Sequence, residues 1–558
     1  MIRDNVLINA GIQTGMLDET EIAKYKLAAR RERVDLLYLL SYKLRFPIAD
    51  LYRAYAQTQG IRFLTNDEIR VDPQLLRKIS PSIIERRLVI PLMPIDETAL
   101  LLVDNPEDRA GLSQVQRLLP PDIEICMTDP NLLQQLVIRV TQATNDEEPP
   151  EFDPVISLDE MIREAYLYRT SDIHFEPAKE TFHIRFRIDG CLQPYAQIFS
   201  AEQGAALMSR MKVLAGMDIS EQRMPQDGGM AYELDNNIAF DIRAATVPVK
   251  FGERATLRLL GSDSEALSLK KIGFSERALA RFSDVIKRPH GMILITGPTG
   301  SGKSTTLYSA LQQIASNDIN VLTVEDPIEY VMEGISQVQV SSKVSFSSAL
   351  RSFLRHDPDV IMVGEIRDGE TAGIAMKAAL TGHMVFSTLH TNSAVSTVSR
   401  LVDIGAEPFL IGSTLVSIIA QRLVRRLCAF CKVSVELSDD DRKLLRLTYE
   451  QNGYVNENKM DETKADDVNF AEGTVYQAKG CSNCHDSGYK GRIALFETLW
   501  VDDHLAQVIG NGATEKEILD NATDFVSLAD DCREKIRAGH TSIAEFERLS
   551  LGREEAIN

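Results

Sequence analysis

The run Gly297-Pro298-Thr299-Gly300-Ser301-Gly302-Lys303-Ser304 matches, at every fixed position, the G-x-x-x-x-G-K-[ST] pattern that cradles phosphate. Its glycines let backbone N–H groups wrap an anion, and a helix opening there through Thr305 would aim its positive end at the same point. Lys303 is suited to reach the β- and γ-phosphates, and the Ser304 hydroxyl to hold Mg²⁺. A nucleoside triphosphate is therefore the expected ligand. Hydrolysing it would require a group to orient water and cations to meet the charge that develops. Three acids at predicted strand ends could serve the water. Glu365 is the first choice, with Glu329 or Glu325 as rival or supporting partner. His383 and His390 flank one apolar strand; they are either ordinary histidines bonded to carbonyls or groups that sense the γ-phosphate. Arg351, Arg355 and Arg367 surround the Glu365 strand, and arginine suits bidentate phosphate contact, including contact donated across a subunit boundary.

A second chemistry lies further along. Cys428 and Cys431, with Cys481 and Cys484, form two Cys-x-x-Cys pairs, the two-plus-two spacing of a structural zinc knuckle. Four thiolates would close the coordination sphere, so this Zn²⁺ would staple a loop and catalyse nothing. The acidic segment between the pairs (Asp439-Asp440-Asp441, Asp461-Glu462, Asp466-Asp467) is a poor core former that a metal clip would help. His485 is read as a bystander, and Cys126, Cys191 and Cys532 as packing residues.

The elements that must position these groups alternate as in a parallel α/β sheet. Met292–Thr296 reads as a buried strand entering the glycine-rich loop, and Thr305–Leu311 as the helix leaving it. Asn320–Val324 delivers Glu325 and Glu329; Asp359–Val363 delivers Glu365; Met384–Leu389 lies between the histidines. Ligands of such sheets sit beyond the carboxyl ends of the strands, which aims these acids at the triphosphate. Four parts are expected: a docking domain over 1–140, a linker over 141–153, a small α+β domain over 154–262, and the nucleotide-binding domain over 263–558 with the cysteine subdomain at 428–484. In the first part, Leu27–Tyr42 reads as helical. Leu88–Ile95 and Ala99–Val103 read as paired strands around Asp96-Glu97-Thr98, the first an edge strand because Pro91 and Pro94 cannot donate to a ladder. In the α+β domain, arginines such as Arg185 and Arg187 share a strand face and either meet solvent or turn to the triphosphate. A net charge of −20 argues against general nucleic-acid binding. The absence of a long apolar run or signal-like start predicts a cytoplasmic protein.

Together, several motifs resemble the secretion ATPases of type II secretion and type IV pilus assembly. They are the Gly297–Leu307 run, Glu325-Asp326-Pro327-Ile328-Glu329-Tyr330, Leu350–Asp359, Val363–Asp368, Thr381-Gly382-His383 and Ser387–Asn392. In order they resemble that family's Walker A, Asp box, Walker B and His box. Ser171–His174, Arg187–Gly190 and Pro225–Gly228 resemble its PAS-like domain, and the cysteine pairs its zinc element. The resemblance implies a RecA-like P-loop core and a homohexameric ATP hydrolase on the cytoplasmic face of the inner membrane. It further implies an adaptor bound through the N-terminal domain, and a membrane platform protein that passes motion to pilin or pseudopilin, so that membrane contact is indirect. It also implies that Arg210 and Arg223 of the PAS-like domain reach the phosphates. Where the family often has arginine after Pro-Gln-Asp-Gly, this chain has Gly229. No Arg-Leu-Gly pattern of the cyclic di-GMP-binding N-terminal domain stands out, so that ligand is not expected. Two alternatives are a DNA-transfer ATPase on the same core and a ring subunit that does not hydrolyse ATP.

Overall fold

The computed structural model describes residues 2–142, 152–260, 268–445 and 475–550, apart from 33–35, 44–45, 47, 66–67, 96–97, 236–237, 439, 443 and 482–483. The expected linker run Thr144–Glu151, Asp96, Glu97, Asp439 and the acids at 461–467 lie outside the described residues. The chain divides into two compact units, Met1–Leu260 and Gly261–Asn558.

The first unit begins with helices Asp4–Gln13, Glu19–Glu32 and Ile48–Gln59, packed through Leu7, Ile8, Leu51 and Tyr55. The helical spacing expected over Leu27–Tyr42 divides into the end of the Glu19–Glu32 helix, a short Leu36–Tyr38 helix and a π-turn at Leu39–Lys43. A four-stranded sheet follows: β1 (Arg62–Phe63), β2 (Val89–Ile95), β3 (Thr98–Val103) and β4 (Glu124–Met127), in the order β1-β4-β3-β2. Pro91 does lie on an edge strand, facing Leu101, where its missing N–H breaks no outer ladder.

A second sheet holds β5 (Thr170–Pro177), β6 (Thr181–Ile188), β7 (Cys191–Pro194), β8 (Phe199–Ser200), β9 (Gln226–Asp235), β10 (Ile238–Val249) and β11 (Gly252–Leu260). Helices Pro154–Leu167 and Ala201–Leu214 share a core with it, through Leu158, Met161, Phe175, Phe182, Leu207 and Met211. Three of the sheet arginines find carboxylate partners within their own sheet. Arg185 is bidentate to Glu176 at 2.8 and 2.6 Å, Arg254 shares that carboxylate at 2.9 Å, and Arg258 pairs with Asp172 at 2.8 Å. β9 was not expected, because Gly228-Gly229 disguises it. Gly228 is required there, since a Cβ would stand 2.3 Å from the Ala215 carbonyl oxygen.

The second unit is built on a mostly parallel sheet of β12 (Gly291–Thr296), β13 (Val321–Glu325), β14 (Ser336–Gln339), β15 (Val360–Val363), β16 (Met384–Leu389), β17 (Leu415–Leu427) and β20 (Tyr489–Trp500). The order is β14-β13-β15-β16-β12-β17-β20, and only β17 and β20 run antiparallel. β18 (Val433–Val435) and β19 (Val475–Gln477) form a separate ribbon. Buried strands with both faces covered read as continuous apolar runs. β12 shows why: Met292 and Leu294 enter one core with Leu350 and Val398, while Ile293 and Ile295 enter another with Phe282 and Leu311. The thirteen-residue β17 was not anticipated as a strand.

Glu497, on β20 opposite Ala420 of β17, is nearly fully buried. Its carboxylate accepts the Ala394 N–H at 2.7 Å and the Leu528 N–H, each at the first turn of a helix, where the dipole favours a negative charge. Burial nevertheless dominates and pushes its pKa from 4.5 up to about 7, against those two N–H groups and nearby Arg422. A carboxyl whose folded pKa is raised adds stability that is complete below the unfolded value and is lost as pH rises through the folded one. The stability of the wild-type protein relative to Glu497→Gln, followed by denaturant unfolding, should therefore drop by about 3 kcal/mol between pH 4.5 and 7.5. A difference independent of pH would contradict this environment for Glu497.

Candidate nucleotide site

The glycine-rich loop joins the end of β12 to the Lys303–Ile314 helix. Gly297, Gly300 and Gly302 all have positive φ, at 147°, 79° and 86°, a backbone that residues with a Cβ rarely adopt. Gly302 is the N-cap of the helix and no side chain caps it, so the first-turn N–H groups remain for an anion. The buried Ser301 hydroxyl has no partner, as fits a loop shaped around a polar ligand. Ser304 and Thr305 stand half-buried at the helix start, and Thr299 is exposed at the loop tip with Gly300. Lys303 folds back over the loop, donating to the Gly297 and Pro298 carbonyls at 2.8 and 3.0 Å. Burial lowers its pKa to about 8; Glu365 and Glu329 oppose the shift and Arg422 adds to it. The lysine is thus an under-compensated cation, which phosphate oxygens would relieve.

Two residues that the sequence reading missed hold the loops at this edge, one the glycine-rich loop and one the loop that carries His390. Gln421, buried on β17, donates from Nε2 to the Ser301 carbonyl at 2.8 Å and accepts from Thr306 Oγ1 at 2.8 Å. Its neighbour Arg422, also buried, donates to the Asn392 backbone and side-chain oxygens, both at 3.2 Å. The available signal was a Gln-Arg pair inside the apolar run Leu415–Leu427, because buried polar groups must find partners. A hydroxyl chain adds a third tie: Thr296 lies 2.6 Å from Thr391, which lies 2.7 Å from Thr397.

The three acids turn out to be unlike. Glu325 is buried and committed, accepting from the Tyr308 hydroxyl, Thr323 Oγ1 at 2.6 Å and Gln337 Nε2 at 3.0 Å. It anchors the phosphate-loop helix to its strand and is poorly placed to take a proton from water. Glu329 is exposed, with its backbone N–H on the Tyr308 hydroxyl at 3.2 Å. Glu365, two residues beyond β15, is partly open; it pairs with Arg367, and its Oε2 lies 3.5 Å from His390 Nε2. Burial, with Lys303 next in effect, lowers the His390 pKa below its ordinary value, and Glu365 only partly opposes this. His390 is therefore a neutral imidazole at pH 7, facing the carboxylate.

His383 is elsewhere. It precedes β16, whose six residues span about 20 Å, so it lies at the opposite end of the sheet from the phosphate loop. Its Nδ1 is 2.9 Å from the Ala378 carbonyl oxygen, the arrangement of an ordinary structural histidine. Of the two readings open for the histidines, the ordinary one holds for His383, and its candidacy for the γ-phosphate is corrected: in a parallel sheet only the residue after the strand reaches that edge. Arg351 pairs with Glu370, and the exposed Arg355 donates to the Arg351 carbonyl at 2.8 Å. Arg367 joins Glu365 to Asp326, the latter at 3.4 Å. In the first unit, Arg210 is half-buried on the Ala201–Leu214 helix and Arg223 is exposed on the loop that follows.

The four expected cysteines do converge. Their sulfurs all lie within 4.8 Å of one another, with Cys428–Cys481 at 3.9 Å and both Cys431–Cys484 and Cys481–Cys484 at 3.7 Å. A tetrahedron with Zn–S bonds of about 2.3 Å has edges of about 3.8 Å. The cluster is thus of the right size for zinc, and these spacings are far longer than a disulfide bond. Cys484 Sγ also accepts the Gly488 N–H at 3.2 Å, a contact that suits a metal thiolate. Among the described residues, no helix is long and apolar enough to cross a membrane.

Comparison with known proteins agrees with this geometry. The model of the type II/IV secretion system protein family matches residues 148–548, and that of the MshEN domain matches residues 59–147. The type II secretion system ATPase E of Vibrio cholerae is 46% identical over 404 residues, covering 71% of this chain and 75% of the relative. The type II secretion system protein E of Pseudomonas aeruginosa is 39% identical over 510 residues, 89% of this chain and 95% of the relative. The type IV pilus assembly ATPase PilB of Myxococcus xanthus is 37% identical over 492 residues, 83% and 84% respectively. Among solved structures, the ATPase DotB of Legionella pneumophila superposes with a TM-score of 0.51 at 22% identity, over 73% of this chain and 98% of that one, a likeness of fold. The chain belongs to the type II/IV secretion system protein family and is an ATP hydrolase of its secretion and pilus-assembly class.

Proposed function

We propose that this protein is a homohexameric motor at the cytoplasmic face of the inner membrane, which hydrolyses ATP to drive assembly of pilin or pseudopilin subunits. The observation that carries this reading is the meeting of Lys303, Glu365 and His390 at one edge of the sheet. Ser304 would hold Mg²⁺, which neutralises charge between the phosphates when bound. Lys303 leaves the Gly297 and Pro298 carbonyls for phosphate oxygens. Glu365 orients the attacking water, with neutral His390 beside it to accept or donate a hydrogen bond as charge moves. Glu329 stands as the supporting acid, and Arg210 and Arg223 as phosphate-contacting arginines. The division into 1–140, 141–153, 154–262 and 263–558 is proposed as well. Its first part would dock an adaptor, and a membrane platform protein would receive the motion. Relatives named for type II secretion and for pilus assembly support this reading over a DNA-transfer role, and so does a net charge of −20.

Two measurements test this account. The purified full chain should hydrolyse ATP, and Lys303→Ala should abolish turnover; equal rates in both would overturn the enzyme reading of this site. Native mass spectrometry should find one zinc per chain, lost in Cys431→Ser, and zinc retained in that variant would mean that other residues bind it.

A further inference from the structure

The run from His390 to Ser393 links β16 to the Ala394–Asp403 helix, and three strands of the sheet tie it down. The Thr391 N–H donates to Thr296 Oγ1, the last residue of β12, at 2.9 Å. Arg422 of β17 donates to both oxygens of Asn392 at 3.2 Å. The Ala394 N–H donates to Glu497 of β20 at 2.7 Å. This third tie differs from the others in being made by a buried carboxylate. Glu497 also accepts the N–H of Leu528, which opens the Leu528–Arg537 helix, so one side chain joins the histidine loop to the C-terminal helices. Burial raises its pKa to about 7 and Asp530 adds to the rise, although both N–H groups and the Arg422 guanidinium favour the ion.

Neither helix needs this carboxylate in order to start. Ser393 caps the first, accepting the Ser396 N–H at 3.0 Å, and Ser527 caps the second, accepting the Asp530 N–H at 3.2 Å. A neutral acceptor would satisfy a buried amide with no charge to bury. What a carboxylate adds is two oxygens for two N–H groups, and an opposite charge near Arg422, itself the group that holds Asn392. We propose that Glu497 is a positioning residue for ATP hydrolysis: by holding Ala394 and balancing Arg422 it fixes the loop from which His390 faces Glu365. The inference rests on the role given to His390 above and adds the residue that keeps its imidazole in place. His390 Nε2 stands 3.5 Å from Glu365 Oε2, at the outer limit of hydrogen-bond reach, so a small shift of the loop parts the two. A loop ordered beforehand has no backbone freedom left to lose when the triphosphate arrives.

A double-mutant cycle on the full-length protein tests this, with kcat and KM for ATP measured on Glu497→Gln, His390→Ala and the double variant. Glu497→Gln keeps the size of the side chain and offers one oxygen to the two N–H groups. It should lower kcat about tenfold or more, the scale on which a misplaced catalytic group fails, with KM close to wild type because the glycine-rich loop is untouched. In the His390→Ala background the same substitution should have no further effect, because the side chain it positions is already gone. A merely structural glutamate would lower kcat by the same factor in both backgrounds, and that result would overturn the proposal. A change confined to KM would overturn it too, since the carboxylate would then serve ATP binding. So would a wild-type rate in Glu497→Gln beside a loss in His390→Ala, which leaves the role of His390 standing. Wild-type turnover in His390→Ala would instead overturn the underlying reading of that histidine, and the role of Glu497 with it. Should Glu497→Gln not fold, Asn392→Ala frees the same loop from Arg422 and leaves the buried carboxylate intact. It must then show the same dependence on His390, and an equal loss in both backgrounds overturns the proposal.

Discussion

A parallel sheet brings the ends of its strands to one edge, and everything catalytic in this chain depends on keeping the phosphate loop fixed to that edge. Gln421 does this from inside the sheet. Its amide spans the loop, meeting Ser301 on one side and Thr306 of the following helix on the other. Each such bond contributes about 1 kcal/mol net, but removing the glutamine would take its donor from the buried Ser301 carbonyl, at about 1–3 kcal/mol, and leave Thr306 Oγ1 only the Gly302 carbonyl at 3.3 Å. The loop needs the restraint, since three glycines at positive φ give it freedom that binding would otherwise have to remove. Arg422, one residue on and so on the opposite face of β17, holds Asn392 in the loop that carries His390. Consecutive residues of one strand thus set the phosphate loop and the histidine loop in register.

The electrostatics follow from that arrangement. Lys303 and His390 are both shifted by burial toward their neutral forms, so the site favours an incoming polyanion and places an uncharged imidazole beside Glu365. Glu325 occupies a strand end of the same kind, yet three hydrogen bonds turn it into a strut. Of two carboxylates at strand tips, one is thus a buried anchor and the other a partly open acid that pairs with Arg367 and faces His390, and the difference lies in what surrounds them.

Much of this was legible from residues alone, and the parts that were not share a cause. The phosphate loop is a backbone structure whose glycines and lysine must occur at set spacing, and the cysteine pairs owe theirs to a tetrahedron; both read directly. Strands ending in Glu325 and Glu365 read from their apolar runs. Roles within the site did not, because they depend on contacts between separate segments: Gln421 with Ser301, Tyr308 with Glu325, Arg422 with Asn392. His383 was misplaced for a different reason. Its position before β16 already implied the far end of the sheet, since a strand's two flanks are separated by its length. β9 was hidden by Gly228, which is there because the helix end packs directly onto its backbone.

The central claim is that Glu365 handles water while the loop handles phosphate, two tasks on separate elements. Substituting Glu365→Gln and measuring ATP binding and single-turnover hydrolysis on the same preparation tests it most directly. The account predicts that ATP binds with an affinity close to wild type while hydrolysis falls by about a hundredfold or more, the scale of a lost general base. Hydrolysis at close to the wild-type rate would contradict it.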